Sequence, residues 1–129
     1  MSKVLVSKEI IEAGILSIVI RNHNKRNALS DSIKLELENI ALELRGKSEI
    51  KAVILSGENG NFCSGNDIKE KNAFGDGLDL EEARQKNRIG LRMCDAWTNI
   101  PQITLASIEG ACIGGGVSLA LACDFRICA

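Results

Sequence analysis

Aromatic side chains are scarce in this 129-residue chain, which has three phenylalanines, one tryptophan and no tyrosine. Proteins that bind single-stranded nucleic acid stack its bases on aromatic rings, so this composition disfavours such a platform. An excess of positive charge is also missing, because the formal net charge is −1 and acids and bases are interspersed. Without a basic stripe or a polybasic run, we expect neither nucleic acid nor an anionic lipid surface as a partner.

Long apolar runs are absent as well. No run approaches the roughly 20 residues that span a bilayer, and Met1-Ser2-Lys3-Val4 lacks the apolar core of a targeting segment. We therefore expect no membrane partner and a location in the cytoplasm.

Paired cysteine spacing is missing too. The five cysteines are an odd number with no C-x-x-C pair, and most of them lie within apolar runs. These features predict buried free thiols in a reducing compartment, with no metal site. The cysteines are Cys63, Cys94, Cys112, Cys123 and Cys128.

The apolar segments predict an α/β fold. Ser30 or Asp31 is predicted to cap a helix that is ended by Gly46, with apolar residues spaced i, i+4, i+7, i+8 and i+11. A nearly continuous apolar strand precedes it, for which we expect burial on both faces. The predicted strands are 3–11 and 14–21, paired as a hairpin, and 52–57, 103–108 and 125–128; further helices are predicted at about 80–98 and 116–123, and a mobile surface loop at 70–79.

Two polar, glycine-containing loops each follow a buried strand. They are Ser64-Gly65-Asn66-Asp67 and Gly114-Gly115-Gly116. Because the carboxyl ends of parallel strands meet at one edge of a sheet, each loop can offer a backbone N–H to the same point. Two such donors stabilise a carbonyl oxygen that becomes negative. Close packing of strand on helix is an equally good explanation of the glycines alone.

Other glycine-rich motifs fit poorly. A P-loop places lysine and then serine or threonine after its last glycine, whereas Val117 follows Gly116 here. A dinucleotide-binding fingerprint requires a glycine where Leu119 stands. Both motifs therefore lack the residue that performs their chemistry.

Three motifs taken together resemble the crotonase (enoyl-CoA hydratase/isomerase) superfamily, in order and in spacing. The resemblance implies a ββα-spiral fold in which residues 1–129 are the N-terminal part of one domain, without its C-terminal turns and helices. The motifs are Asn24-Lys25-Arg26-Asn27-Ala28-Leu29, Phe62-Cys63-Ser64-Gly65-Asn66-Asp67-Ile68 and Gly110-Ala111-Cys112-Ile113-Gly114-Gly115-Gly116, followed by Ala120-Leu121-Ala122-Cys123-Asp124.

The resemblance also implies an acyl-CoA thioester as ligand and an enolate held by the backbone amides of Asn66 and Gly115. No separate cofactor is implied, because coenzyme A enters as part of the substrate. It further implies that the complete protein is a homo-oligomer, as in the family, where trimers or hexamers form. The positions that match the family's coenzyme A site are Lys25, Arg26, Ala28, Ser64, Asp67 and Ile68.

One departure concerns the acid/base group. Ser118 stands where the family's hydratases have a glutamate, and a serine hydroxyl is no base near pH 7 without activation. The family's second acid lies beyond residue 129, and a Ser118–His23 pair is a remote alternative. Isomerase-type chemistry is therefore slightly favoured over a two-glutamate hydratase, with dehalogenase, decarboxylase and thioester hydrolase chemistry open. We expect turn or solvation roles for Asp76, Asp79 and Glu109.

Two further alternatives are a catalytically silent acyl-CoA-binding or assembly module and an inactive fragment. Family members continue well beyond this length, so we expect a truncated product with an open strand edge and an apolar face. Such a chain is expected to be poorly soluble alone unless it oligomerises or pairs with the missing half.

Overall fold

The computed structural model describes residues 4–69 and 77–129 of the chain. In these ranges one sheet has five strands in sequence order, with β1 antiparallel to β2 and the other neighbouring pairs parallel. The predicted hairpin and α/β alternation are therefore confirmed. The elements are β1 (Val6–Glu12), β2 (Ile15–Ile20), a 3-10 turn (His23–Lys25), α1 (Asp31–Leu44), β3 (Ala52–Gly57), α2 (Leu80–Thr98), β4 (Ile103–Ile108), α3 (Gly115–Ala122) and β5 (Phe125–Cys128).

Helices α1 and α2 begin where side chains cap their first turns. The Ser30 hydroxyl accepts a hydrogen bond from the Ile33 N–H at 3.3 Å, and Asp79 accepts one from the Glu82 N–H at 2.8 Å. Asp79 therefore caps a helix, whereas a turn or solvation role was expected of it. The predicted apolar face of α1 is buried at every position, and its members are Ile33, Leu37, Ile40, Ala41 and Leu44.

The expectation that β2 is buried on both faces is wrong. Leu16, Ile18 and Ile20 are buried, whereas the alternate side chains are only half-buried. The buried face belongs to the core that α1 and α2 share with the sheet. Nothing in the described ranges covers the opposite face to the same extent, so a run of apolar residues does not by itself show what packs on each side.

The prediction of buried thiols is confirmed for Cys63 and Cys123 and is wrong for Cys128. Cys94 and Cys112 are half-buried. Cys128 lies in β5, where every residue is exposed. Within the described ranges no cluster of histidine, cysteine or carboxylate side chains could hold a metal ion, and no helix there is long and apolar enough to cross a membrane.

Strand β5 forms one edge of the sheet and carries exposed apolar side chains. Phe125 is 59% exposed and Ile127 is 60% exposed, and both lie on the same face of the strand. The strand is anchored at its start, where Asp124 accepts a hydrogen bond from the Thr104 N–H at 2.9 Å. An open edge beside exposed apolar side chains favours association with another chain. The predicted loop at 70–79 lies largely outside the described residues.

We expect Ile127→Lys to weaken self-association of the chain about tenfold, because the substitution removes an isoleucine side chain from an apolar contact between two chains. Sedimentation velocity over a concentration series measures the dissociation constant. Ile11→Lys is the matched control, since Ile11 is 54% exposed on β1 at the opposite edge. A monomeric parent chain, or an equal effect of both substitutions, contradicts the assignment to β5.

Candidate active site

Two pairs of backbone contacts join the three loops that follow β2, β3 and β4. Leu29 in the first loop pairs with Asn66 in the second, and Cys63 in the second pairs with Cys112 in the third. The Cys63 N–H donates a hydrogen bond to Ala111 O at 2.9 Å, and the Ile113 N–H donates one to Cys63 O at 3.0 Å. The three loops therefore form one continuous hydrogen-bonded unit at the carboxyl edge of the parallel strands.

This pairing sets the direction of the Asn66 N–H. The Leu29 N–H donates to Gly65 O at 2.7 Å and the Asp67 N–H donates to Leu29 O at 3.1 Å. In a parallel bridge these flanking bonds leave the N–H of the central residue pointing to the opposite side. Among residues 4–69 and 77–129, the Asn66 N–H donates to no protein acceptor.

The Gly115 N–H, like that of Asn66, donates to no acceptor in the described part of the chain. Gly115 is the first residue of α3, where the amides of the opening turn have no partner within the helix. Gly114, before it, has φ +53° and ψ −116°, a conformation that favours glycine and that redirects the chain into the helix.

The two donors lie close together. An ideal Cβ built on Gly115 would be 3.9 Å from Asn66 N, and one built on Gly65 would be 3.4 Å from Gly115 N. Packing explains other glycines, since a Cβ on Gly116 would lie 2.4 Å from Cys63 O. The two interpretations of the glycine stretch thus apply to different residues: Gly116 permits close packing and Gly115 presents a free amide.

A first cavity, which we call the loop cavity, has a volume of about 450 Å³. It brings together all the residues that match the family's coenzyme A site. The Lys25 ammonium lies 2.8 Å from Asp67 Oδ2, and this hydrogen bond lowers the pKa of the Asp67 carboxyl despite its burial. The lining residues are Asn24, Lys25, Arg26, Ala28, Ser64, Asn66, Asp67, Ile68 and Lys69.

A second cavity, which we call the helix cavity, lies among α1, α2 and α3 and has a volume of about 400 Å³. Asn66 lines both cavities, whereas Gly115 and Ser118 line only this one. No carboxylate is among its described lining residues. They are Leu29, Lys34, Asn66, Asn87, Gly90, Leu91, Met93, Cys94, Gly115 and Ser118.

His23 is not a partner of Ser118. Its Nδ1 contacts Glu58 Oε1 in the loop after β3, and this hydrogen bond lowers the pKa of the Glu58 carboxyl. Ser118 is exposed on α3 and lines the helix cavity, where His23 is absent from the described lining. The structure therefore provides no histidine to activate the Ser118 hydroxyl.

Asn27 organises the first loop, a role that the sequence did not reveal. Its buried side chain accepts from the Asn22 N–H at 2.9 Å and donates to Glu58 O at 3.0 Å and Asn61 O at 2.7 Å. Its φ of +59° is one that asparagine tolerates better than most residues. The available signal was the cluster of turn-forming residues around it. Lys34 was also missed, because a lysine beside the apolar face of a helix resembles a solvated charge.

Comparisons with known proteins identify the family of this chain. The family model for enoyl-CoA hydratase/isomerase matches residues 10–129. The ethylmalonyl-CoA decarboxylase of Danio rerio is 37% identical in an alignment of 128 positions that covers 93% of this chain and 39% of that protein. The chain therefore spans about two fifths of the length of this relative.

Solved structures show the same fold. The enoyl-CoA hydratase of Bacillus anthracis matches with a TM-score of 0.87 and 30% identity, over 96% of this chain and 47% of that chain. AtuE of Pseudomonas aeruginosa matches with a TM-score of 0.89 and 32% identity, over 97% of this chain and 48% of that chain. The crotonase resemblance is confirmed, and the chain belongs to the enoyl-CoA hydratase/isomerase family.

Proposed function

We propose that this protein binds an acyl-CoA thioester and stabilises its enolate through the backbone amides of Asn66 and Gly115. The observation that carries the proposal is a pair of neighbouring N–H groups without an acceptor among the described residues, at Asn66, which lines both cavities, and at Gly115, which lines the helix cavity. Asn66 lines both cavities, so a thioester beside it can extend coenzyme A into one and the acyl group into the other. The two donors then share the thioester oxygen.

The two amides lower the energy of negative charge on that oxygen. When an electron pair moves from a breaking Cα bond into the thioester, the Cα–C bond becomes double and the oxygen becomes anionic. Backbone donors that are already oriented bind this anion without reorganisation, and losing one typically costs ~2.7–4 kcal/mol of transition-state energy.

The breaking bond is either Cα–H or a C–C bond to a carboxylate. Isomerase-type chemistry breaks Cα–H and needs a base, which Ser118 does not provide. Decarboxylation releases CO2 and leaves the bonding electron pair on Cα, so its first step needs no base. The lack of a carboxylate in the described helix-cavity lining, together with the name of the Danio rerio relative, favours decarboxylation as a second candidate reaction.

Enolate stabilisation can be tested without knowing the reaction. Acetoacetyl-CoA carries an acidic Cα–H, and its enolate is detected by ultraviolet absorbance. We expect binding to the 129-residue chain to raise the enolate fraction, and Gly115→Pro to lower that fraction at least tenfold because proline removes one N–H donor. Proline is tolerated at the first position of a helix, so α3 remains compatible with this substitution.

Gly115→Ala is the matched control, because it adds a Cβ and keeps the N–H. That Cβ would lie 3.3 Å from Leu29 Cδ1, a side chain that can shift. An equal loss in both variants assigns the effect to bulk and rejects the amide role. Turnover of a panel of acyl-CoAs, measured beside calorimetric affinity, tests the silent module: binding without turnover by a protein that includes the family's downstream half favours it.

Arg26 tests the coenzyme A end of the site. It lines the loop cavity, is exposed, and has a φ of +51° that belongs to the turn before Asn27. We expect Arg26→Gln to weaken coenzyme A binding about two- to fivefold, because an exposed ion pair contributes about 1 kcal/mol or less. Calorimetry at two salt concentrations measures this, and the loss is expected to shrink at high salt.

The control for Arg26 is Arg45→Gln, which removes the same charge from the end of α1, away from the loop cavity. We expect it to leave coenzyme A affinity unchanged. If the Arg26 variant and the parent chain bind coenzyme A with equal affinity, Arg26 does not belong to the binding site.

A further inference from the structure

Lys34 contributes a cation to the helix cavity that the proposed chemistry does not use. It lies in the first turn of α1, lines the cavity, and its side chain is only 11% exposed. Its neighbours in the lining include the apolar side chains of Leu29, Leu91 and Met93. A mostly buried ammonium loses much of its hydration, so it requires a partner of opposite charge.

The nearest carboxylate is shared. Lys34 Nζ lies 3.8 Å from Asp31 Oδ1, at the limit of an ion pair, whereas Lys86 Nζ lies 2.6 Å from Asp31 Oδ2. The two lysines and this aspartate together leave one positive charge. Lys86 is absent from the described cavity lining and Lys34 is part of it, so the positive charge that faces the cavity is that of Lys34.

The charge acts inside the cavity. Burial raises the pKa of the Cys94 thiol, and the Lys34 ammonium opposes this rise, which places the two side chains within electrostatic reach of each other. No aspartate or glutamate is among the described lining residues, so a negatively charged ligand suits this part of the cavity.

We propose that the acyl group of the substrate carries a carboxylate and that Lys34 binds this carboxylate in the helix cavity. This inference rests on the proposed function, because the acyl group reaches the helix cavity only if the thioester lies at Asn66 and Gly115. The chemistry required is a free carboxylate on the acyl part of an acyl-CoA. The carboxylate position along the acyl chain is set by how far Lys34 lies from the two amides.

The test compares acyl-CoAs of equal carbon number with and without a carboxylate. The pairs are malonyl- and propionyl-CoA, succinyl- and butyryl-CoA, and glutaryl- and pentanoyl-CoA, titrated into the 129-residue chain by calorimetry. We expect at least one dicarboxylic ligand to bind about tenfold or more tightly than its neutral counterpart, because a charge-assisted hydrogen bond forms in a largely desolvated site. The pair with the largest preference identifies the carboxylate position.

Variants assign the preference to Lys34. We expect Lys34→Met to abolish the preference, measured as the ratio of the two affinities within each pair, and Lys34→Arg to restore it. Lys47→Met is the control: it removes one cation from an exposed position outside the described cavity lining and away from Asp31, and we expect it to keep the preference. Melting curves of all variants identify any that fail to fold.

The outcomes separate the two proposals. If neutral acyl-CoAs bind and the dicarboxylic ligands bind no better, the carboxylate inference is wrong and the proposed function stands. If the preference persists in Lys34→Met, another cation holds the carboxylate and Lys34 is not its partner. If no acyl-CoA of either kind binds, the proposed function is wrong and the inference falls with it.

Discussion

The backbone pairing between loops is the constraint on which the candidate site depends. The Leu29–Asn66 and Cys63–Cys112 bridges join segments that follow three different strands, and neither bridge uses a side chain. Because each bridge occupies the flanking carbonyls and amides, it also determines which N–H remains unpaired. The Asn66 N–H has no acceptor among the described residues, whereas the neighbouring Gly65 O and Asp67 N–H are engaged with Leu29. The side chain of Asn66 is therefore less important to the proposed chemistry than the register of its backbone.

The sequence predicted the features that depend on local pattern. The predicted limits of α2, about 80–98, agree with the structure, in which the Asp79 side chain caps the first turn. The shared edge of the parallel strands, deduced from element order, correctly brought Asn66 and Gly115 together. The residues of the loop cavity come from two separate loops, and no local sequence pattern connects them. Their grouping was predicted from the resemblance to a known family.

Features that depend on what packs against a segment were not predictable in the same way. The sequence of β2 is largely apolar on both faces, yet one face is only half-buried. The burial of each face depends on the elements that pack against it, which the sequence of the strand does not contain. The role of Asn27 arises from hydrogen bonds to Asn22, Glu58 and Asn61, and Glu58 and Asn61 lie in another loop. The different roles of Gly115 and Gly116 could be assigned only from the structure. The two residues are of the same type and differ in the atoms that surround them.

The serine at position 118 and the lysine at position 34 are explained best together. Both line the helix cavity, so the glutamate found at position 118 in the family's hydratases would add a negative charge to the cavity that holds the Lys34 ammonium. Opposite charges in a poorly hydrated cavity attract strongly, and such an acid would tend to pair with Lys34 and lose strength as a base. With serine at this position the ammonium stays available to a ligand. A carboxylate on the acyl group would supply the missing charge, and, if it is attached at Cα, its departure as CO2 would generate the enolate without a base.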